Sequence, residues 1–357
     1  KTLGDDLADK LGLTLLTGQL GTAEHKRALL QIVSGKAQIV VGTHALISSK
    51  VEFFDLGLIV IDEQHRFGVR QRLEIQQRLG SELFYCHQLM MSATPIPRTL
   101  AMTYYADLDV SVIDELPPGR KPIATKVVKA TRRDEVIGGL QSWLSKGLQA
   151  YWVCPLIEES EVLQLQTAVE SFEQLTQALP DFKVGLVHGR LKADEKAAVM
   201  AAFKANEIQL LVATTVIEVG VDVPNATLMV IENAERMGLS QLHQLRGRVG
   251  RGLLKSTCIL LFQKKLSDIA RQRLKVIFEN TDGFIIAQED LNIRGPGEFL
   301  GVRQSGVPML RIANLNRDFK LLEEAKTIAD QLLEDYPEAS HLHLKRWLSH
   351  ANERVKV

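Results

Sequence analysis

The sequence predicts an α/β protein with two parallel sheets wrapped by helices, followed by a small helical appendage. Three observations predict it. Apolar runs of strand length alternate with helical patterns, and this alternation occurs twice. A segment rich in proline and glycine, Leu116-Pro117-Pro118-Gly119-Arg120-Lys121-Pro122, separates the two series. After Lys265 the strand-like runs stop and the pattern turns helical. Continuous β-branched and leucine-rich runs joined through helices suit strands covered on both faces, as in parallel sheets.

The first series places strands at Leu13–Leu16, Gln38–Val41, Leu58–Ile61 and Gln88–Met91. The second places them at Tyr151–Cys154, Val184–Val187, Gln209–Val212, Thr227–Ile231 and Cys258–Phe262. The proline-rich segment between them cannot be helix and suits a linker. Beyond the helical stretch lies a glycine-rich segment, Arg294 to Gly306, and then two amphipathic segments split at Pro337. The expected organisation is a first domain over 1–116, a second over 117–265 and the appendage over 266–357.

Composition narrows the class. A chain of 357 residues has room for two or three domains with real cores. A hydrophobic share of 45% with 24% charged residues excludes disordered and collagen-like classes. No apolar run approaches the roughly 18–20 residues a membrane span needs, so no membrane partner is expected. Lys plus Arg equals Asp plus Glu at 43 each, so net charge gives no vote on nucleic acid. Clustering does give one: between Glu235 and Lys275 there are ten basic residues and two acids. Such a stretch suits salt-sensitive, sequence-neutral phosphate contacts, or simply a solvated charged face. Cys86, Cys154 and Cys258 are three in number and far apart, which points to buried thiols in a reducing cytoplasm rather than disulfides or zinc. His341, His343 and His350 fall in an amphipathic segment beside Lys345 and Arg346, the pattern of a surface helix rather than a metal site.

Three stretches carry chemistry. The run Leu58–Ile61 leads into Asp62-Glu63-Gln64-His65, which puts two carboxylates at the C-terminal edge of a parallel sheet, where open α/β folds bind ligands. The first acid suits Mg²⁺ held through water, and the second suits orienting an attacking water in phosphoryl transfer. An ordinary helix start would also use such acids. The next strand ends in Ser92-Ala93-Thr94, hydroxyls at the same edge, which would also serve as helix caps. The third stretch is Gln241-Leu242-His243-Gln244-Leu245-Arg246-Gly247-Arg248-Val249-Gly250-Arg251. On a continuous helix, Gln244, Arg248 and Arg251 would share one face and aim two guanidinium groups at a phosphate in transfer. Two glycines inside a helix, each costing about 1 kcal/mol, argue against a purely structural origin.

These stretches resemble the DEAH-like, SAT and arginine-finger motifs of superfamily 2 helicases. Ala213-Thr214-Thr215 through Gly220-Val221-Asp222-Val223-Pro224 resembles the fifth motif of that superfamily. The DEQH spelling, its continuation Arg66-Phe67-Gly68-Val69-Arg70, and the run Ile293 to Gly306 are similar to the RecG family of bacterial ATP-dependent DNA helicases.

The resemblance implies two RecA-like parallel-sheet helicase domains, the first incomplete, and a helical appendage bearing a translocation motif. It implies ATP and Mg²⁺ as cofactors. Asp62 would bind the metal through water and Glu63 would be the general base. Gln64, His65, Ser92, Thr94, Gly220, Asp222 and Gln244 would couple nucleotide to movement, with Arg248 and Arg251 as arginine fingers. Thr43, His44, Thr214 and Thr215 would contact DNA. Arg273, Arg294 and Gln304 would form the polar network of the translocation motif, which the transcription-repair coupling factor shares. The implied partner is branched DNA, at replication forks, Holliday junctions and R-loops, acted on by a monomer in the bacterial cytoplasm near the nucleoid.

One expected part is missing. The sole Gly-Lys, Gly35-Lys36, is no phosphate-binding loop, because Leu30 and Ala37 stand where a glycine and a hydroxyl residue are needed. The resemblance therefore implies the C-terminal portion of a longer protein, inactive as an isolated ATPase. Its first domain would hold an exposed strand edge and be less stable than the second. Two other readings stay open: a fragment of a coupling-factor-like translocase, and a non-catalytic DNA-binding fragment.

Overall fold

A computed structural model describes residues 12–18, 20–48, 50–63, 86–92, 109–113, 115, 117, 119–155, 161–214, 222–263, 265–294 and 318–348. The chain divides into two compact units, Lys1–Ala93 and Thr94–Val357.

In the first unit, β1 (Leu13–Leu16) pairs in parallel with β2 (Ile39–Gly42). A second parallel pair joins β3 (Leu58–Ile61) to β4 (His87–Met90). Helix α1 (Thr22–Val33) links β1 to β2 and buries Ala28 and Ile32 against Leu16. It stops at Ser34, and Gly35 takes φ +69°, with Phe54 so close that a Cβ would lie 2.9 Å from its ring. The Gly-Lys pair is thus a helix terminus feeding a strand, as the sequence context predicts.

The second unit holds a six-stranded parallel sheet in the order β5-β10-β9-β6-β8-β7. Its strands are β5 (Ala124–Lys129), β6 (Gln149–Val153), β7 (Val184–Val187), β8 (Leu210–Ala213), β9 (Ala226–Ile231) and β10 (Thr257–Phe262). Alternation along β6 sorts its side chains between two cores. Trp152 joins Leu140, Leu144 and Leu175 from helices α2 (Arg133–Leu144) and α3 (Glu161–Ala178). Tyr151 and Val153 join Phe203 of α4 (Ala193–Lys204), Leu242 of α5 (Leu239–Arg246), Leu274 of α6 (Asp268–Glu279) and Ile286 of α7 (Gly283–Arg294). Both faces of this sheet are covered. Helices α8 (Phe319–Asp335) and α9 (Pro337–Leu348) follow, with Pro337 opening the second, where its missing N–H costs nothing. His341 and His343 are exposed on α9, as a surface helix requires.

Three expectations need correction. Strand β5 was not foreseen: Ala124-Thr125-Lys126-Val127-Val128-Lys129 lacks a continuous apolar run because it is an edge strand with Lys126 and Lys129 exposed. Only its register with β10 reveals it, and edge lysines of this kind discourage further pairing. Helix α5 ends at Arg246, short of Arg248, and Gly250 takes φ +74°. Cys154 and Cys258 are buried, whereas Cys86, just before β4, is half-buried.

Candidate functional site

In the first unit, β3 delivers Asp62 and Glu63 to its C-terminal end. Asp62 is exposed, and its Oδ1 accepts the Glu63 backbone N–H at 2.8 Å. Glu63 takes φ +52°, a left-handed conformation that a non-glycine residue adopts at a cost of about 1–3 kcal/mol. The adjacent β4 ends alongside: Met91 N–H donates to the Ile61 carbonyl at 2.7 Å, so Ser92 follows at the neighbouring strand end. The two motifs read separately in the sequence thus share one sheet edge. Thr43 and His44 follow β2, where Thr43 N–H donates to the Leu16 carbonyl at 3.4 Å. Gln64, His65 and Thr94 lie outside the described residues.

The second unit gathers its candidates near the C-terminal strand ends and around a loop. Thr214 follows β8, is 4% exposed, and donates its N–H to the Val187 carbonyl. After α5, a tightening turn runs Arg248 N–H to the Leu245 carbonyl and Val249 N–H to the Arg246 carbonyl. Gly250 then reverses the chain. Arg251 Nη1 comes within 3.8 Å of Asp222 Oδ1, so the arginine stretch and the fifth-motif stretch meet there. Burial pushes the Tyr151 phenol up to about 12, Arg251 and Arg248 pull it back, and Asp222 raises it. Arg248 and Arg251 therefore stand on a loop beyond the helix, not along one helix face. Gln244 stays half-buried on α5. Thr215 and Gly220 lie outside the described residues.

The glycines of this loop have steric reasons. A Cβ on Gly250 would lie 2.9 Å from Ile123 Cγ1, and one on Gly252 would lie 2.8 Å from the Pro224 carbonyl oxygen. Close backbone approach and positive φ are what glycine permits.

Two arginines in the basic stretch hold the fold together. Arg246 is 3% exposed, and its Nη1 donates to the Ile277 and Asn280 carbonyls at 2.8 Å each. It closes the C-terminal end of α6, where carbonyls lack helical partners. Its Nη2 meets His243 Nδ1 at 3.1 Å, which requires that nitrogen to accept and the imidazole to be neutral. Burial and then the Arg246 charge lower His243 to about 4. Arg273 Nη1 donates to the Met237 carbonyl at 3.1 Å, tying α6 to the short turn before α5. Arg294 is the last residue of α7, and Gln304 lies outside the described residues.

Sequence reasoning missed Arg246 and also Glu232, which follows β9. Glu232 Oε1 accepts from Arg133 Nε at 2.7 Å and from Trp152 Nε1 at 3.0 Å. No local signal marks either residue, because burial of a charge is a tertiary property.

Comparison with known proteins places this geometry. Residues 3–103 match the DEAD/DEAH box helicase family, 135–252 the helicase conserved C-terminal domain, and 280–346 the family described as ATP-dependent DNA helicase RecG, domain 3, C-terminal. The ATP-dependent DNA helicase RecG of Haemophilus influenzae is 55% identical over 335 residues, covering 94% of this chain and 48% of that protein. The protein of the same name from Escherichia coli K12 is 56% identical over 318 residues, covering 89% of this chain and 46% of its own length. A solved structure of RecG bound to a three-way DNA junction is 45% identical, with a TM-score of 0.64, over 88% of this chain and 40% of that one. The chain thus spans about half the length of the curated relatives it matches. Over that span, two helicase segments precede one specific to RecG, and more than half of the aligned residues are identical: the chain belongs to the RecG family of helicases.

Proposed function

We propose that this chain carries the motor of an ATP-dependent translocase on branched double-stranded DNA, one that reverses stalled forks and branch-migrates Holliday junctions in recombination and repair. The observation that carries the reading is the approach of Arg251 Nη1 to within 3.8 Å of Asp222 Oδ1, which brings the arginine loop against the fifth-motif stretch. Paired guanidinium groups suit charge spread over the oxygens of a transferring phosphoryl group. The relative solved on a three-way junction supports branched DNA as substrate.

In this reading Arg248 and Arg251 stabilise that charge, and Glu63 orients and deprotonates the attacking water. Asp62 holds Mg²⁺ through its water shell, and an exposed carboxylate at a strand end is the hard oxygen donor that ion takes. Bound Mg²⁺ would neutralise developing phosphate charge. Gln64, His65, Ser92, Thr94, Gly220, Asp222 and Gln244 couple nucleotide state to movement. Thr43, His44, Thr214 and Thr215 contact the DNA backbone, and Arg273, Arg294 and Gln304 transmit closure to the duplex. The domain division at 117–265 and 266–357 is supported by the separate family matches at 135–252 and 280–346. The chain works as a monomer in the cytoplasm, a compartment that the free cysteines and the bacterial relatives support.

The test is fork-stimulated ATP hydrolysis by the 357-residue chain and by a chimera that completes it with the unmatched half of the Haemophilus relative. The chain alone, which contains no Gly-x-x-x-x-Gly-Lys-Ser/Thr, should turn over nothing. The chimera should hydrolyse ATP, and Glu63→Gln should abolish this. Turnover by the chain alone would mean that it cradles phosphates with residues not identified above. Fork binding by the chimera without turnover would replace the motor with a non-catalytic DNA-binding role.

A further inference from the structure

The loop 247–253 contains Gly247, Gly250 and Gly252, so its own backbone preferences fix little. Its shape is imposed from outside, largely by the segment 117–123. Arg120 Nη2 donates to the Gly247 carbonyl at 3.2 Å, in a partly buried setting. Gly247 caps α5, so that carbonyl has no helical donor of its own. Ile123 fills the space beside Gly250, which a Cβ there would invade. Leu253 closes over Gly119, where a Cβ would lie 2.8 Å from its Cδ2. Arg120 is itself held in place, because its N–H donates to the Pro117 carbonyl across a turn in which Gly119 takes φ +81°. Thus Gly119, Arg120 and Ile123, in and just after the proline-rich segment, meet the arginine loop at three points.

We propose that Arg120 is a positioning residue for the arginine loop. Resting on the motor reading above, it fixes the carbonyl immediately before Arg248, and so sets where Arg248 and Arg251 stand. The charge-assisted bond is the part of the grip that a substitution can remove without disturbing Ile123 or Leu253.

Two measurements test this. In the 357-residue chain, hydrogen exchange should speed up over residues 247–253 in Arg120→Ala, with the sheet strands unchanged and Arg120→Lys partly restoring protection. Unaltered exchange in that loop would overturn the proposal whatever the activity. In the chimera, Arg120→Ala should lower kcat for fork-stimulated ATP hydrolysis about tenfold, leave KM for ATP within twofold, and recover partly as Arg120→Lys. A wild-type kcat in Arg120→Ala, while Arg248→Ala abolishes turnover, would equally overturn it. If Arg248→Ala leaves turnover intact, the motor reading fails instead, and the exchange measurement still decides whether Arg120 holds the loop.

Discussion

The two units build parallel strands from similar residues, yet they bury them very differently. In the second unit every residue of β6, β8 and β9 is buried. In the first, β3 leaves Leu58 at 58% and Val60 at 52% exposed, and β4 leaves Leu89 at 50%. Among the described residues, the first unit's main core is Leu16, Ala28 and Ile32 with half-buried neighbours, whereas the second has two extended cores, one on each sheet face. Hydrophobicity written in a strand is therefore not hydrophobicity used. What stabilises is the area removed from water, at about 25 cal/mol per Å², and that depends on what packs against the strand.

The largest expected difference is a core truncation. Phe203→Ala should cost about 3–5 kcal/mol, since Phe203 is fully buried and its ring meets Tyr151 at 5.0 Å. Leu58→Ala should cost less than about 1 kcal/mol, because little of that side chain leaves water. Urea denaturation followed by tryptophan fluorescence reads the second unit, where Trp143 and Trp152 lie, and exchange protection of β3 reads the first. Equal costs would erase the contrast drawn here, as would equal protection of β3 and β9.

Arg246→Met should come next, at about 2–4 kcal/mol, by leaving the carbonyls at the end of α6 buried without donors. A midpoint unchanged in urea would mean that water replaces the guanidinium.

An effect comparable in size to that of Arg246→Met, but confined to acid pH, sharpens the comparison from inside the second unit. His243 is neutral when folded and sits near 4, below the ordinary value of about 6.5 in an unfolded chain. The unfolded state then binds the extra proton first. Stability from this group is fully present above about pH 6.5 and declines as pH falls toward 4, on the order of 3 kcal/mol in all. His243→Gln should flatten that stretch of the pH profile in the second unit. A slope that survives would assign the acid sensitivity to other groups.

Much of the fold was legible. Nine of the ten strands among the described residues lie where apolar runs predict them, and Pro337 marks the break between α8 and α9. The missed strand, β5, is legible only through its partner β10, since an edge strand needs no continuous apolar run. In the candidate site, the residue types and their order were legible but the local geometry was not. Arg248 and Arg251 read as a helix face, yet a turn after Arg246 and the left-handed Gly250 place them on a loop.

What the sequence by itself determined is what short-range pattern encodes: the alternation of strands and helices, the acids at a strand end, and motifs long enough to mark a helicase family. What only the tertiary structure decided is which charges become structural. Arg246 and Arg248 stand two residues apart in one basic stretch, yet the first closes a helix end in the interior and the second lies half-buried on the loop beyond that helix. Burial, and the partners that make a buried charge tolerable, come from segments distant in the chain, so no local reading of residues can assign them.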